Sequence, residues 1–121
     1  MCVVLIVEDD PAIQEVLRFL AEANDMRVVV AGTCDDAIRE AKLHRPDLAI
    51  IDLGLPDRDG IELICSVRAW SQLPIIVLSA RTLESQRQAV LAAGADDYLT
   101  KPFSAPELLS RMRALLGGRC P

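Results

Sequence analysis

The amino-acid sequence predicts an α/β fold in which a doubly wound parallel β-sheet is covered by helices on both faces. Along its 121 residues, short apolar runs rich in β-branched residues alternate with stretches that carry apolar residues at helical spacing. Five strand–helix units fit this alternation, and such units build parallel sheets. Because 51% of the residues are hydrophobic and 26% are charged, the chain is long and apolar enough to form a single domain with its own core.

The strands are predicted from continuous apolar runs. Runs such as VVLIV and LAII are typical of central strands that are covered on both faces. The last run, around Tyr98, is short and polar, which is typical of an edge strand. The five predicted strands span residues 3–7, 28–31, 48–51, 75–78 and 98–100. We expect them to pair in the flavodoxin-like order 2-1-3-4-5, as one (βα)5 domain over residues 1–121.

Capping residues mark the starts of the helices between these strands. Asp10 is a favourable N-cap, and Pro11 is favoured at the first helical position that follows it. The apolar residues of this first helix have the spacing of one core-facing side, namely Ile13, Val16, Leu17 and Leu20. Comparable signals are Thr33 with Asp36, Asp59 with Gly60, and Ser104 with Glu107, and a further helix over residues 84–93 ends at Gly94.

Composition and charge exclude several classes of function. The 13 basic and 18 acidic side chains give a net charge of −5, and the sequence has no basic run, so direct nucleic-acid binding by this segment is not expected. Its apolar runs are shorter than the roughly 20 residues that a membrane span needs, so no membrane contact is expected either. The N-terminal stretch lacks the basic region of a signal peptide, and scattered cysteines with a single histidine are unlike a zinc site. We therefore expect a cytoplasmic protein whose cysteines are reduced.

Polar residues follow four of the predicted strands, at the edge where doubly wound sheets bind their ligands. Glu8 and Asp9 come after the first strand, and Asp52 comes after the third. If these two strands are neighbours, the three carboxylates meet in one crevice, where either their pKa values rise or a cation joins them. A ligand set made of oxygen atoms favours a hard cation, so we expect Mg2+ or Mn2+.

A hydroxyl and a lysine complete this predicted constellation. Ser79 follows the fourth strand, and Lys101 follows the fifth. Asp52 could then attack phosphorus and form an acyl phosphate, while Lys101, Ser79 and a metal ion neutralise the phosphoryl oxygens. The alternative for any single acid is that it only caps the next helix, as Asp10 is expected to do.

Four stretches in this order, VLIVEDD, DLGLPDRDG, IIVLSAR and GADDYLTKPF, resemble the signature stretches of response regulator receiver domains, over about residues 3–116. The resemblance implies that Asp52 is the phosphoacceptor for a sensor histidine kinase. It also implies that Glu8 and Asp9 form the acidic pair, with Asp9 as the direct metal ligand, and that Gly54 offers a backbone carbonyl to the metal. Such a domain is not a separate enzyme, although it assists its own phosphorylation and dephosphorylation.

The same resemblance assigns the residues that transmit the signal. Ser79 is implied to be the switch hydroxyl, Tyr98 the switch aromatic and Lys101 the lysine of the site, with a cis bond between Lys101 and Pro102. Once Asp52 is phosphorylated, Ser79 would contact the phosphoryl group, and Tyr98 would turn towards the core.

The stretch ADDYLTKPF further resembles the OmpR/PhoB type of receiver, which dimerises when phosphorylated and controls transcription. The implied two-fold interface comprises the fourth helix, the fifth strand and the fifth helix. Its candidate residues are Arg87, Leu91, Asp96, Asp97, Glu107, Leu109 and Arg111. Regulators of this type carry a C-terminal winged-helix DNA-binding domain, which we do not expect within this sequence.

Alternatives from other classes of protein stay open at this point. An aspartyl-phosphate phosphatase of the haloacid dehalogenase type would use a similar site, but it needs a second acid two residues after the nucleophile, where this chain has Gly54. A nucleotide or flavin binder would need a glycine-rich phosphate loop, and no such motif occurs. A third possibility is a receiver without DNA-binding output, either stand-alone or a scaffold. Asp57 and Arg58, on the loop after Asp52, are interpreted as solvated loop residues.

Overall fold

The computed structural model describes residues 2–80 and 84–117 as five strands and five helices that alternate along the chain. The strands are β1 (Val3–Val7), β2 (Arg27–Ala31), β3 (Leu48–Asp52), β4 (Ile75–Ser79) and β5 (Asp97–Thr100). The helices are α1 (Pro11–Glu22), α2 (Cys34–His44), α3 (Gly60–Arg68), α4 (Glu84–Ala92) and α5 (Ala105–Leu116). The rest of the predicted domain, Met1 with residues 81–83 and 118–121, lies outside the described residues.

The strands form one parallel sheet in the order β2-β1-β3-β4-β5, which confirms the predicted topology. β1 and β3 are therefore neighbours, with Val7 opposite Ile51. On the other side of β3, Asp52 is opposite Leu78 of β4. This register brings the residues that end or follow β1, β3 and β4 to the same edge of the sheet.

The sheet separates two hydrophobic cores, because successive side chains of a strand point to opposite faces. α1 and α5 cover one face, where Leu17, Leu108 and Met112 belong to the same buried cluster as Ile6 and Ile50. α2, α3 and α4 cover the other face. Both cores are built mainly from aliphatic side chains, and the central strands β1, β3 and β4 between them are buried on both faces up to their carboxyl ends.

At the predicted helix starts, side-chain oxygens accept hydrogen bonds from first-turn amides, which would otherwise lack an acceptor within the helix. Asp10 and Thr33 cap α1 and α2 in this way, and Asp59 and Ser104 cap α3 and α5. The predicted bounds agree with the observed ones to within one residue. β3 and β4 each extend one residue further than predicted, so that a polar side chain of the site ends each of these strands.

Helix α1 departs from the prediction on one side. Val16 was expected to face the core, but it is 50% exposed, because α1 buries Leu17 and Ala21 instead and Val16 lies at the border of that face. Phe19 is 71% exposed on the same helix. Despite this apolar surface, none of the helices within the described residues combines the length and the hydropathy that a membrane crossing requires.

The cysteines also depart in part from the expectation that all are reduced. Cys34 and Cys65 are free thiols, whereas Cys2 is disulfide-bonded. Cys2 is buried beside Leu116 at the end of α5, and spacing along the sequence gave no sign of this proximity between the two ends of the fold. Cys120 lies outside the described residues.

Candidate functional site

Three carboxylates meet at the carboxyl edge of the sheet, as the sequence predicted. Glu8 and Asp9 directly follow β1, and Asp52 is the last residue of the neighbouring strand β3. One carboxylate oxygen of each residue lies within 4.8 Å of the corresponding oxygens of the other two. Glu8 is 1% exposed and Asp52 is 9% exposed, whereas Asp9 faces solvent. The site is therefore a crevice with two buried acids and one accessible acid at its mouth.

Lys101 reaches into this crevice from the end of β5. Its Nζ donates to Glu8 Oε1 at 3.0 Å and to Asp52 Oδ1 at 3.1 Å. The Lys101 amide donates to the Ser79 carbonyl at 2.8 Å, which ties the loop after β5 to the end of β4. The bond between Lys101 and Pro102 is cis, as expected from the resemblance.

Burial and neighbouring charges oppose each other in this cluster. Burial raises the pKa of Glu8 above its ordinary value of 4.5, and the nearby Asp52 adds to this effect, although hydrogen bonds from Lys101 and the Asp10 amide lower it. Burial lowers the pKa of Lys101, but its hydrogen bonds to Glu8 and Asp52 outweigh that effect, so the pKa of Lys101 lies above 10.5. Lys101 is therefore a permanent cation in the crevice at neutral pH.

The donor set fits a hard divalent cation. When all groups are ionised, three negative carboxylates against one lysine leave a charge of −2 (−3 plus +1) in a partly buried crevice. Mg2+ and Mn2+ prefer carboxylate and carbonyl oxygens, and these are the atoms that the crevice presents. Gly54 also lies here, because a side-chain carbon placed on it would be 3.6 Å from Asp52 Oδ2.

The predicted switch residues lie on the two strands beyond β3. Ser79 ends β4 and is 2% exposed, and its Cα pairs with that of Thr100 on β5. Tyr98 is 8% exposed and belongs to the core under α2, α3 and α4. Tyr98 is therefore already largely buried in this structure.

The surface formed by α4, β5 and α5 carries most of the candidate interface residues. Arg111 Nη1 donates to both carboxylate oxygens of Asp97, at 3.0 and 2.8 Å, and Glu107 lies 3.9 Å from the Arg111 guanidinium. Arg87 pairs with Glu84 at 4.0 Å on α4. These charges line a groove of about 380 Å³. Among the apolar candidates, Leu91 is 38% exposed and Leu109 is partly buried.

Asp96 differs from the other interface candidates in its contacts. Its Oδ2 accepts hydrogen bonds from the Ile75 amide at 2.8 Å and from Arg68 Nη2 at 3.0 Å. Arg68 also donates to the Gly94 carbonyl at 2.9 Å, so it ties the end of α3 to the turn before β5. Arg68 carries no signal in the sequence that identifies this role, because only the fold shows that the end of α3 lies beside this turn.

Asp57 and Arg58 are not simply solvated, as had been expected. Asp57 Oδ1 accepts from the Cys34 amide at 2.9 Å, and its Oδ2 accepts from the Asp35 amide at 3.2 Å. Arg58 Nη2 donates to Asp35 Oδ1 at 2.8 Å. Both residues remain on the surface, but they connect the loop after β3 to the start of α2. This contact has no local signal in the sequence, because its partners are more than 20 residues apart along the chain.

Comparisons with known proteins agree with this geometry. Residues 4–113 match the family model of the response regulator receiver domain. The KDP operon transcriptional regulatory protein KdpE of Escherichia coli is 55% identical over 113 residues, which cover 93% of this chain and 50% of that protein. The transcriptional regulatory protein KdpE of Mycobacterium tuberculosis is 46% identical over 114 residues, which cover 94% of this chain and 50% of that protein.

A solved structure gives the same result. The receiver domain of the sensor histidine kinase PA1611 from Pseudomonas aeruginosa, determined with a magnesium ion coordinated in the active site cleft, superimposes with a TM-score of 0.88. It is 33% identical, and the match covers 97% of this chain and 98% of that domain.

The chain spans about half the length of the curated relatives it matches. The stretches DLGLPDRDGIELI and VRAWSQLPIIVLSAR are similar to KdpE, which is of the OmpR/PhoB type, and the identity to KdpE from two organisms confirms this finer resemblance. A parallel sheet in the order 2-1-3-4-5, an acidic crevice at its carboxyl edge and a family match over nearly its whole length lead to one conclusion: the chain belongs to the response regulator receiver domain family.

Proposed function

We propose that this domain accepts a phosphoryl group on Asp52 from the phosphohistidine of a sensor histidine kinase, in a reaction that depends on Mg2+ or Mn2+. The observation that carries the proposal is the convergence of Glu8, Asp9 and Asp52 with Lys101 at one edge of the sheet. A carboxylate nucleophile, a cation site and a fixed lysine are what phosphoryl transfer to an aspartate requires.

The roles of the individual residues follow from their positions. A carboxylate oxygen of Asp52 attacks phosphorus, the bond between phosphorus and the kinase imidazole breaks, and the imidazole leaves as a neutral ring after taking up a proton. Lys101, already 3.1 Å from Asp52 Oδ1, stabilises negative charge on the phosphoryl oxygens. A cation bound by Glu8, Asp9, Asp52 and the Gly54 carbonyl, with Asp9 as a direct ligand, would supply further charge neutralisation.

Ser79 connects this chemistry to the rest of the domain in our proposal. Its hydroxyl, at the buried end of β4, would donate to a phosphoryl oxygen and pull the following loop inward. Tyr98 would be stabilised in its inward position by the same movement. The domain is thus a phosphoacceptor that assists its own phosphorylation and dephosphorylation, and its output is a change of shape.

The proposed output is homodimerisation through α4, β5 and α5 and control of transcription. Arg111 forms an ion pair with Asp97 of the same chain. In a two-fold dimer, Arg111 of each chain would instead pair with Asp97 of the other chain. Because the curated KdpE relatives are about twice as long as this chain, we propose that residues 1–121 act as the receiver of a regulator whose winged-helix DNA-binding domain lies beyond them. We further propose that the protein acts in the cytoplasm.

Intact-mass spectrometry with a small phosphodonor such as acetyl phosphate tests the proposal. Wild-type protein with Mg2+ should gain one phosphoryl group, whereas Asp52→Asn and protein treated with EDTA should gain none. Asp10→Asn is a matched control, because it removes a neighbouring exposed acid outside the cluster and asparagine is also a good N-cap. It should be labelled like the wild type. Equal labelling of Asp52→Asn, or labelling that EDTA leaves unchanged, would refute the proposed chemistry, and an unlabelled wild type would favour a scaffold.

A further inference from the structure

The start of helix α2 is capped from a distant part of the chain. The first amides of a helix have no acceptor within it. Thr33 Oγ1 accepts from the Asp36 amide at 3.1 Å, which is a local cap. The two amides before it, those of Cys34 and Asp35, donate instead to the carboxylate of Asp57 at 2.9 and 3.2 Å. The loop that follows β3 therefore supplies two of the three first-turn acceptors of α2.

A second set of contacts strengthens this junction. Arg58 donates from Nη2 to Asp35 Oδ1 at 2.8 Å, and its carbonyl lies 3.6 Å from the Cys34 thiol. Burial, followed by the nearby charge of Asp57, raises the pKa of the Cys34 thiol to about 11, so the thiol keeps its proton and can donate it to the carbonyl. The hydrogen bond from the Cys34 amide lowers the pKa of Asp57, which keeps this carboxylate ionised at neutral pH.

The loop anchored in this way is the one that carries Gly54. At its far end, the Gly60 amide donates to the Leu53 carbonyl at 3.3 Å. A side-chain carbon on Gly60 would approach the Leu53 Cα to 2.9 Å, so the backbone packs closely at this point. Between this closed base and Asp57, Gly54 is exposed and lies beside the carboxylate of Asp52. Leu55, next to Gly54, packs against the core on this face of the sheet, and Asp57 and Arg58 tie the outer part of the loop to α2.

We propose that Asp57 is a positioning residue that keeps the backbone at Gly54 in place for binding the divalent cation. The inference rests on the proposed function, because it concerns the cation that phosphorylation of Asp52 requires. A glycine in an unanchored loop samples many conformations, and that freedom would be lost each time a cation bound. Because the loop is already held on α2, this conformational freedom is lost when the protein folds and not when the cation binds. The affinity for the cation is therefore higher.

Three variants separate positioning from a general effect on stability. Asp57→Ala removes the acceptors of the Cys34 and Asp35 amides, and Asp57→Asn keeps a side-chain oxygen but loses the charge. Thr33→Ala is the matched control, because it also removes an acceptor from the first turn of α2 but does not touch the loop after β3. Mg2+ affinity is measured by titration followed through amide chemical shifts, and amide hydrogen exchange of the loop is measured in metal-free protein.

Asp57→Ala should weaken Mg2+ binding about threefold or more. Mutation of a residue that holds a metal ligand in place typically lowers metal affinity about 10–100-fold. We expect a smaller loss here because Asp57 acts on Gly54 through the intervening backbone. Its loop amides at 54, 55 and 58 should exchange faster without metal. Asp57→Asn should fall between Asp57→Ala and the wild type, and Thr33→Ala should lower the melting temperature with no change in Mg2+ affinity. Equal Mg2+ affinities in the wild type and Asp57→Ala, or equal losses in Asp57→Ala and Thr33→Ala, would overturn this inference alone. Absence of Mg2+ binding by the wild type would instead overturn the proposed function on which it rests.

Discussion

Replacing Lys101 by methionine tests the electrostatic account of the crevice. Methionine keeps much of the length of the side chain and removes its charge, so that Glu8 remains buried beside Asp52 without its cation. The observed distances of 3.0 and 3.1 Å correspond to an attraction of about 5–6 kcal/mol for each pair at an effective dielectric constant of about 20. Much of this is offset by the desolvation of the charges, and removal of one partner from a buried pair typically costs about 3–5 kcal/mol. Because the Lys101 side chain is 18% exposed, we expect the low end of that range.

The assay is urea denaturation in the presence of EDTA, arranged as a double-mutant cycle with Glu8→Gln. Lys101→Met should lower the free energy of unfolding by about 3 kcal/mol in the wild-type background. In the Glu8→Gln background residue 8 is already uncharged, so the ion pair with Asp52 is the only one lost, and the cost should be about half as large. Lys42→Met removes the other lysine of the chain, which is exposed and lies 5.5 Å from the Trp70 ring, and should cost much less. Equal costs of Lys101→Met in both backgrounds would refute the assigned coupling.

The same experiment has a definite pH dependence. A carboxyl group whose pKa is raised on folding contributes relative stability that is fully present below its unfolded pKa and is lost as the pH rises through its folded pKa. The pKa of Glu8 is raised by burial, and loss of Lys101 raises it further. The penalty of Lys101→Met should therefore be large at neutral pH and should shrink as the pH falls towards 4.5 and Glu8 takes up a proton. A penalty that grows on acidification would contradict this reasoning.

Two further predictions concern the switch and the dimer. Ser79→Ala should still accept phosphate on Asp52, but it should shift the α4 amide resonances less, since a hydrogen bond to a charged group is worth about 1.5–3 kcal/mol, or roughly tenfold or more in a population. A full shift in that variant would exclude Ser79 as the coupling residue. Sedimentation with Mg2+ and beryllofluoride should show a weak dimer for the wild type and a monomer for Arg111→Glu, which places like charges around Asp97. An activated wild type that stays monomeric at high concentration, or an Arg111→Glu variant that dimerises equally well, would contradict the proposed interface.

The topology could be predicted because local signals in this sequence are consistent with one another. Four of the five apolar runs are followed by a capping residue such as Asp10 or Thr33, and the strand–helix alternation leaves few ways to pair the strands. The strand order then places Glu8 beside Asp52 without any knowledge of side-chain conformations. These parts of the site depend on periodicity and on which residues end the strands, and both can be read from the sequence.

The contacts that the sequence did not reveal are those between distant segments. The bond from Asp57 to the start of α2 and the contacts of Arg68 with Asp96 depend on how loops meet in space, which no local pattern encodes. The exposure of Val16 has a similar origin, because the width of the buried face of α1 is set by what packs against it. The disulfide bond of Cys2 likewise has no local signal in the sequence.

The acyl phosphate proposed at Asp52 can be detected directly, because the chemistry of that bond distinguishes it from a phosphate ester. After incubation with Mg2+ and acetyl phosphate, borohydride reduces an aspartyl phosphate to homoserine, and peptide mass spectrometry locates the converted residue. We expect homoserine at position 52 in the wild type and none when Mg2+ is removed. Conversion at Asp9 or at another acid, or phosphate that resists reduction because it is bound to a hydroxyl such as that of Ser79, would contradict it.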